Sequence, residues 1–223
     1  MACRLKTGDK IRAGTPPAKR VCQRVTSVYK VDFKLPQGRA AAGETQPMPQ
    51  IHICSLKMID SLAAEHKPSH VLSLLGGITP FPETPKGIDP RNHLKLTLAD
   101  IAEPQAGMIH PGEEHVRMVI EFAERWVKEG GTKQPIVVHC FAGISRSTAS
   151  ALTIACTLRP KTAEATFTEA LRRVSESAQP NALMIAHADR LLGRNGRLVA
   201  AVEDMGLADF SKAGQPFVLS LNV

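Results

Sequence analysis

The alternation of apolar and polar segments along the chain predicts strands and helices that follow one another in turn. Short apolar runs predict strands at 50–56, 70–75, 94–98 and 136–139. Longer segments with apolar residues three and four positions apart predict helices. These helices are a stretch ending near 66, then 113–129, 146–158, 162–177, 181–193 and 197–206. The last residues, 216–223, are expected to pack as an extended tail.

This order of elements predicts an α/β fold. Strands that alternate with helices are typical of a mainly parallel sheet with helices on both faces. A chain of 223 residues is long enough for one domain with a sizeable core. We therefore expect a single domain over 48–223, with its core at about 50–195 and a C-terminal helix and tail at 196–223.

Residues 1–47 differ from the rest of the chain in charge and pattern. They hold ten basic and three acidic residues, so they carry the whole net charge of +7 and the remainder is neutral. Without a sustained hydrophobic period, this composition predicts a disordered extension. A transit peptide and translation from Met48 stay open as alternatives. Because aromatic residues do not interleave with the basic ones, a solvated tail is favoured over nucleic-acid binding.

One short segment carries the chemistry predicted for this chain. It reads His-Cys-Phe-Ala-Gly-Ile-Ser-Arg-Ser over 139–147 and lies between a buried strand and a helix start. The spacing lets the backbone between Cys140 and Arg146 curl round one tetrahedral anion. A nearby cation and a helix N-terminus favour the thiolate form of such a cysteine. Inward amides are expected from the intervening residues Phe141, Ala142, Gly143, Ile144 and Ser145.

Three flanking residues add to this prediction. Arg146 can hold two anion oxygens at once, and Ser147 can hydrogen-bond the sulfur. His139 precedes the cysteine and is assigned a supporting role. A lone buried cysteine is more often an inert core residue. Here, however, the strand, the glycine, both flanks and the helix agree, so the functional interpretation is favoured.

The segment 139–158 resembles the signature loop and following helix of cysteine-dependent protein tyrosine and dual-specificity phosphatases, of the bacterial type. Its Ala-Gly-Ile-Ser-Arg-Ser core is similar to the dual-specificity branch. The resemblance covers about 48–195, although only the loop is highly specific. It implies a two-step mechanism. The cysteine thiolate attacks phosphorus, an Asp protonates the leaving oxygen, and the same Asp then activates water.

The resemblance also places this general acid on a mobile loop upstream of the cysteine. Asp100 fits, because it follows a short alternating strand and lies 40 residues before Cys140. The structural alternative for such an Asp is a turn cap. Asp89, in a turn-like loop, and Asp60, in a helical stretch, are rivals, and Glu103 could assist or substitute.

A second matching segment is Arg172-Arg173-Val174 followed by Pro180-Asn181. The resemblance implies that Asn181 buttresses the signature loop. The two residues also make sense as an ordinary helix start, with Asn near the cap. Both interpretations stay open.

The remaining composition indicates the environment of the protein. The five cysteines at 3, 22, 54, 140 and 156 show neither disulfide nor metal-ligand spacing, so no metal or cofactor is predicted. No apolar stretch approaches the roughly 18 residues that a membrane span needs. Because a nucleophilic thiolate suits a reducing compartment, we expect a cytoplasmic location. Cys54 and Cys156 are expected to be core residues rather than redox partners.

The loop sequence also indicates the substrate. Positions 141–145 carry no charge, whereas families that act on polyphosphorylated inositols tend to place Lys there. The domain has no Tyr to deepen a pocket, since Tyr29 lies in the extension. We therefore expect a phosphoprotein, including phosphotyrosine, or a small phosphate ester. A non-catalytic phosphate-binding module and another thiol enzyme, such as a rhodanese or an arsenate reductase, stay open. The oligomeric state is not predicted.

Overall fold

A computed structural model describes residues 50–129 and 133–222. In these two ranges the strands are β1 (Gln50–Ser55), β2 (His70–Leu75), β3 (His93–Thr97), β4 (Ile136–Cys140) and β5 (Phe217–Ser220). The α-helices are α1 (Ile59–His66), α2 (Glu113–Lys128), α3 (Arg146–Leu158), α4 (Glu164–Val174), α5 (Ala182–Leu191) and α6 (Arg197–Glu203). The predictions for 1–47 and for translation from Met48 lie outside the described residues.

The strands form one five-stranded sheet in the order β3-β2-β4-β1-β5. The first four are parallel, and β5 runs antiparallel to β1. The prediction of a mainly parallel sheet is therefore confirmed, with β4 at its centre. The tail at 216–223 was expected only to be extended, but its residues Phe217–Ser220 add a strand to the sheet. Only Leu219 of these four residues is fully buried, so the local pattern does not reveal the pairing.

Helices cover both faces of the sheet, as predicted. Alternation along β1 sends Ile51 and Ile53 to the larger cluster, which packs against α2, α3, α4 and α5. Cys54 points to the smaller cluster, where Ile59 and Leu62 of α1 cover the other face. Full burial of each aliphatic side chain of this size contributes about 1.5–3 kcal/mol. The larger cluster, on the side of α3, is therefore the main source of stability.

Helix α3 fixes one end of the signature loop because all of its 13 residues are buried. Two of its threonines bond within the helix. Thr153 and Thr157 each donate to the carbonyl four residues earlier, at 2.8 Å. The small Ala, Ser and Thr side chains let neighbouring elements pack closely round this helix. The loop before α3 is consequently attached to a rigid element.

The last three helices are shorter than predicted. The predicted range 162–177 shrinks to α4, because residue 163 is extended and the chain leaves helical geometry again at Ser175. Asn181 caps α5 with its side chain instead of lying within the helix. Helix α6 begins at Arg197 as predicted, directly after Gly196 with its φ of +86°, but it ends at Glu203 instead of 206. Turns and caps thus bound these helices more narrowly than hydrophobic spacing alone indicates.

Candidate active site

The signature loop begins where β4 ends and closes where α3 begins. Cys140 is the last residue of β4 and is fully buried. The amide of Leu56, just after β1, donates to the carbonyl of Phe141 at 3.2 Å. Gly143 has a φ of +78°, and a Cβ there would lie 2.7 Å from the carbonyl carbon of Cys54. The close approach of β1 therefore requires glycine at this position.

Two hydrogen-bond donors lie next to the sulfur of Cys140. The amide of Gly143 donates to Sγ at 3.2 Å, and Oγ of Ser147 lies 3.3 Å from the same atom. The sulfur therefore lies within hydrogen-bond distance of a loop amide and a hydroxyl, at the carboxyl end of the central strand.

Arg146 lies at the start of α3 and is only 5% exposed. Its Nη1 donates to the carbonyl of Leu98 at 2.8 Å, which fixes the guanidinium. Its Nε lies 3.5 Å from Oδ2 of Asp100 and has no hydrogen-bond partner. A buried donor without a partner is costly. An anion bound in the loop would supply the missing acceptor.

Asp100 lies at the mouth of the same loop. Its Oδ1 accepts from Oγ of Ser145 at 2.6 Å and from Nδ2 of Asn181 at 3.0 Å. The side chain is 36% exposed, so it remains open to solvent on one side. The segment after it is closed by a hydrogen bond at 2.7 Å from the amide of Ala99 to the carbonyl of Ile109. The structure therefore brings this carboxyl to the loop that holds the cysteine.

The rival acids lie in different surroundings. Asp89 is the N-cap of a short 3₁₀ turn and pairs with Arg91 at 2.7 Å. The side-chain hydrogen bond from Arg91 lowers the pKa of Asp89 to about 2, which suits a structural cap and not a proton donor. Asp60 lies in the first turn of α1 and is exposed. Glu103 is exposed within the loop that follows Asp100.

Asn181 makes contacts of both kinds that the sequence left open, one as a helix cap and one with the signature loop. Its Oδ1 accepts from the amide of Met184 at 3.1 Å and caps α5. Its Nδ2 donates to Asp100 and to the carbonyl of Ile101, and its amide donates to the carbonyl of Ser145 at 3.3 Å. One 5% exposed side chain is thus both a helix cap and a bridge between the acid and the loop.

His139 lies behind the cysteine and is fully buried. Its Nε2 lies 2.5 Å from Oγ of Ser73, and its Nδ1 lies 3.4 Å from the carbonyl oxygen of Cys140. Burial lowers the pKa of His139 to about 4. Ser73 and its other partner, His93 at 2.7 Å, are not among the residues predicted from the sequence. The available signal was a single polar residue in the otherwise apolar end of β2, Val-Leu-Ser-Leu-Leu.

Other candidates stay outside the site. Cys54 and Cys156 are buried, and burial raises the pKa of each thiol to about 12. Over residues 50–129 and 133–222, no group of three His, Cys, Asp or Glu side chains could hold a metal ion. Within the same ranges, no helix is long and apolar enough to cross a membrane.

Part of the sequence matches a family model, and the fold resembles that of solved structures. The family model for the protein-tyrosine phosphatase matches residues 108–200. The solved structure of DUSP15 is 23% identical, covers 72% of this chain and 94% of its own, and has a TM-score of 0.52. Human DUSP28 is 16% identical, with 65% and 92% covered and a TM-score of 0.49. No curated protein matches the chain.

The fold and the loop together define a phosphatase-type α/β domain. Residues 108–200 match the family model for protein-tyrosine phosphatases, and the fold of the chain is similar to that of DUSP15. This confirms the resemblance seen in the sequence and supports phosphatase activity in general. The bacterial type stays a prediction.

Proposed function

We propose that this protein hydrolyses phosphate monoesters through a cysteinyl-phosphate intermediate. The observation that carries the proposal is the surroundings of Cys140. The buried sulfur has two hydrogen-bond donors, and the nearby Arg146 has a buried Nε without a partner. A nucleophile and a cation with a free donor at the two ends of one loop are what phosphoryl transfer requires. The phosphatase fold supports the same chemistry at a coarser level.

In the first step, the thiolate of Cys140 attacks phosphorus. Arg146 and the amides of 141–145 bind the three non-reacting oxygens. The S–P bond forms while the bond from phosphorus to the leaving oxygen breaks. Asp100 delivers its proton to that oxygen, so the leaving group departs as a neutral alcohol or phenol.

In the second step, the carboxylate of Asp100 takes a proton from water. The water oxygen attacks phosphorus, the P–S bond breaks, and inorganic phosphate leaves. Ser147 and the amide of Gly143 lie 3.3 and 3.2 Å from the sulfur, where they can stabilise the departing thiolate. His139 and Asn181 support the loop from behind and from the mouth.

The neutral loop favours phosphotyrosine, other phosphoproteins or small phosphate esters as substrates. Loop residues 141–145 carry no charge, so the charges described at the mouth are those of Arg146 and Asp100. Phe141 is 60% exposed beside the cysteine and offers an apolar surface to the group that carries the phosphate. A cytoplasmic location belongs to the same proposal, because the thiol must stay reduced.

A phosphate-binding module without turnover is the second candidate. It is favoured by the hydrogen bonds that Asp100 accepts from Ser145 and Asn181, because they engage its Oδ1 with groups of the protein itself. A rhodanese-like or reductase-like thiol enzyme needs no acid at this place, so the position of Asp100 argues against it.

Hydrolysis of p-nitrophenyl phosphate and of a phosphotyrosine peptide by the full chain tests the proposal. The matched control is Cys140→Ser, which is expected to lose turnover and keep phosphate binding. Activity that survives in Cys140→Ser would contradict the cysteinyl-phosphate. A folded wild-type protein that binds vanadate but hydrolyses neither ester would establish the binding module instead.

A further inference from the structure

A row of hydrogen bonds crosses the sheet behind the signature loop. Thr84 Oγ1 lies 3.0 Å from Nδ1 of His93, and Nε2 of His93 lies 2.7 Å from Oγ of Ser73. Ser73 is 2.5 Å from Nε2 of His139, whose Nδ1 reaches the carbonyl oxygen of Cys140 at 3.4 Å. The row thus joins the loop before β3 to the backbone of the cysteine.

The inner members of this row are removed from water. Ser73 and His139 are fully buried, and His93 is 8% exposed. Burial lowers the pKa of both histidines to about 4. Each imidazole is therefore neutral near pH 7, with one nitrogen that donates and one that accepts.

The position of the proton on each member follows from the last contact of the row, at the carbonyl oxygen of Cys140. A carbonyl oxygen can only accept, so the proton of His139 must be on Nδ1 to bond Cys140. Nε2 of His139 is then an acceptor, and the hydroxyl of Ser73 donates to it. The oxygen of Ser73 in turn accepts from Nε2–H of His93. Nδ1 of His93 is left as the acceptor for Thr84, so each group donates once and accepts at most once.

We propose that Ser73, His93 and Thr84 are positioning residues that fix the tautomer of His139 and thereby orient the peptide of the nucleophilic cysteine. This rests on the proposed function of Cys140. With the other tautomer, a lone pair of His139 would face the carbonyl oxygen of Cys140 and repel it. That carbonyl precedes the first loop amide, so its direction sets how the amides of 141–145 converge on the anion.

The composition of β2 supports a specific role for Ser73. A hydroxyl in a strand centre is costly unless it is hydrogen-bonded, and Leu72 and Leu74 on either side are fully buried. An aliphatic residue would serve packing alone. Ser73 instead lies between two histidines and uses its donor on one and its acceptor on the other.

Nitrogen-15 NMR of the full chain, labelled at histidine, tests the tautomers directly. The expected result is opposite tautomers, with Nδ1–H for His139 and Nε2–H for His93. Signals are assigned by the loss of one set in His93→Gln. Identical tautomers, or Nε2–H on His139, would overturn the proposal. Because this readout does not require turnover, it stands or falls independently of the phosphatase activity.

The outer end of the row offers a pair of variants that leave the core intact. Thr84 is half-buried, so Thr84→Val removes only its hydroxyl, and Thr84→Ser keeps it. In Thr84→Val, Nδ1 of His93 loses its donor, so the tautomer of His93 is no longer fixed. His139 is then expected to acquire a fraction of the Nε2–H tautomer. Thr84→Ser is expected to match the wild type. Equal spectra for all three proteins would contradict control by the outer hydroxyl.

Kinetics provide the third readout. Ser73→Ala is expected to lower kcat by about fivefold with little change in KM, the effect of one lost hydrogen bond. The acid limb of its pH profile should also move, whereas the profile of Thr84→Ser should not. The charged groups near the row are Lys95 at His93, and Arg146 and Asp60 at His139; none of them is altered. A fall in melting temperature with unchanged kcat and profile would make the row merely structural.

Discussion

The front and the back of the signature loop are stabilised in different ways. At the front, Asp100, Ser145 and Asn181 form a polar cluster whose carboxyl is 36% exposed. At the back, Ser73 and His139 are joined at 2.5 Å with no exposure at all. Exposed polar contacts exchange readily with water, whereas buried ones are fixed by the cost of breaking them. The candidate site thus combines a cysteine that is rigidly held with a carboxyl that can rearrange.

This contrast also agrees with the two halves of the proposed reaction. The cysteine must be in the same place for attack and for departure, so a fixed support suits it. Asp100 must donate a proton in one step and accept one in the next. Its contacts with Ser145 and Asn181 have to change when phosphate arrives. A half-exposed cluster allows that change at little cost.

The largest effect is expected at Arg146, which lies beside Asp100 at the front of the loop. Arg146→Ala removes the bond to Leu98 and the free Nε. We expect kcat/KM to fall by about a thousandfold or more and vanadate binding to weaken, since a transition-state donor is lost. Arg146→Lys is the matched control and should recover little, because a point charge cannot replace a planar fork. Near-native activity of Arg146→Ala would contradict its role.

The next effect is expected at the acid. Asp100→Asn should lower kcat by about a hundredfold or more for a phosphotyrosine peptide, the size of general-acid catalysis. The loss should be smaller for p-nitrophenyl phosphate, whose leaving group needs less help. The control Asp89→Asn alters only the exposed turn with Arg91. Full activity of Asp100→Asn on the peptide would assign the proton to another group.

A smaller effect separates the two roles of Asn181. Asn181→Asp keeps the oxygen that caps α5 but places a second carboxylate against Asp100. We expect near-native melting and a kcat lowered by about tenfold, because like charges repel. Asn181→Ala should also cost about 1 kcal/mol of stability through the lost cap. If Asn181→Asp matched the wild type in kcat, the bridge to the acid would have no catalytic weight.

The smallest expected effect concerns stability against pH. Burial lowers the pKa of four histidines to about 4, namely 52, 70, 93 and 139. The unfolded chain binds protons at these groups below about pH 6.5, but the folded chain does not until about pH 4. Stability is therefore complete above pH 6.5 and is lost as the pH falls towards 4.

Urea unfolding at pH 7.5, 6 and 5 measures this effect. The midpoint should fall with pH, and the fall should be shallower in His70→Phe. His70 is 1% exposed and packs on Phe122 away from the catalytic loop, so this variant removes one titrating group and leaves the site alone. A midpoint that rises towards pH 5 would contradict the neutral state of the buried histidines.

The fold could be predicted from the sequence where the signal is local. Strands β2 and β4 are short apolar runs bounded by Gly, Pro or charged residues, and their positions follow directly. The pairing of Phe217–Ser220 with β1 could not be predicted, because three of these four residues are only half-buried and nothing in their sequence indicates which strand they pair with. The ends of α4, α5 and α6 depend on turns and caps that hydrophobic spacing does not encode.

The residues of the candidate site can be divided in the same way, into those that the local sequence predicts and those that it does not. The loop from Cys140 to Ser147 is contiguous, so its spacing predicts the geometry of an anion cradle. Asp100 required the resemblance, because position alone left Asp89 and Asp60 as rivals. Ser73 and His93 are 66 and 46 positions from His139, and only the parallel register of β2 with its neighbours brings them together. Contacts of this kind depend on the finished sheet.

The place of β5 in the sheet has a consequence for synthesis on the ribosome. Strand β1 holds the signature loop through Leu56 and leaves no room for a side chain at Gly143. Its outer edge is covered by Phe217–Ser220, which are translated more than 70 residues after Cys140. Until they emerge, β1 is an open edge. A chain released early would therefore contain every reactive residue yet lack the strand that closes the sheet beside them.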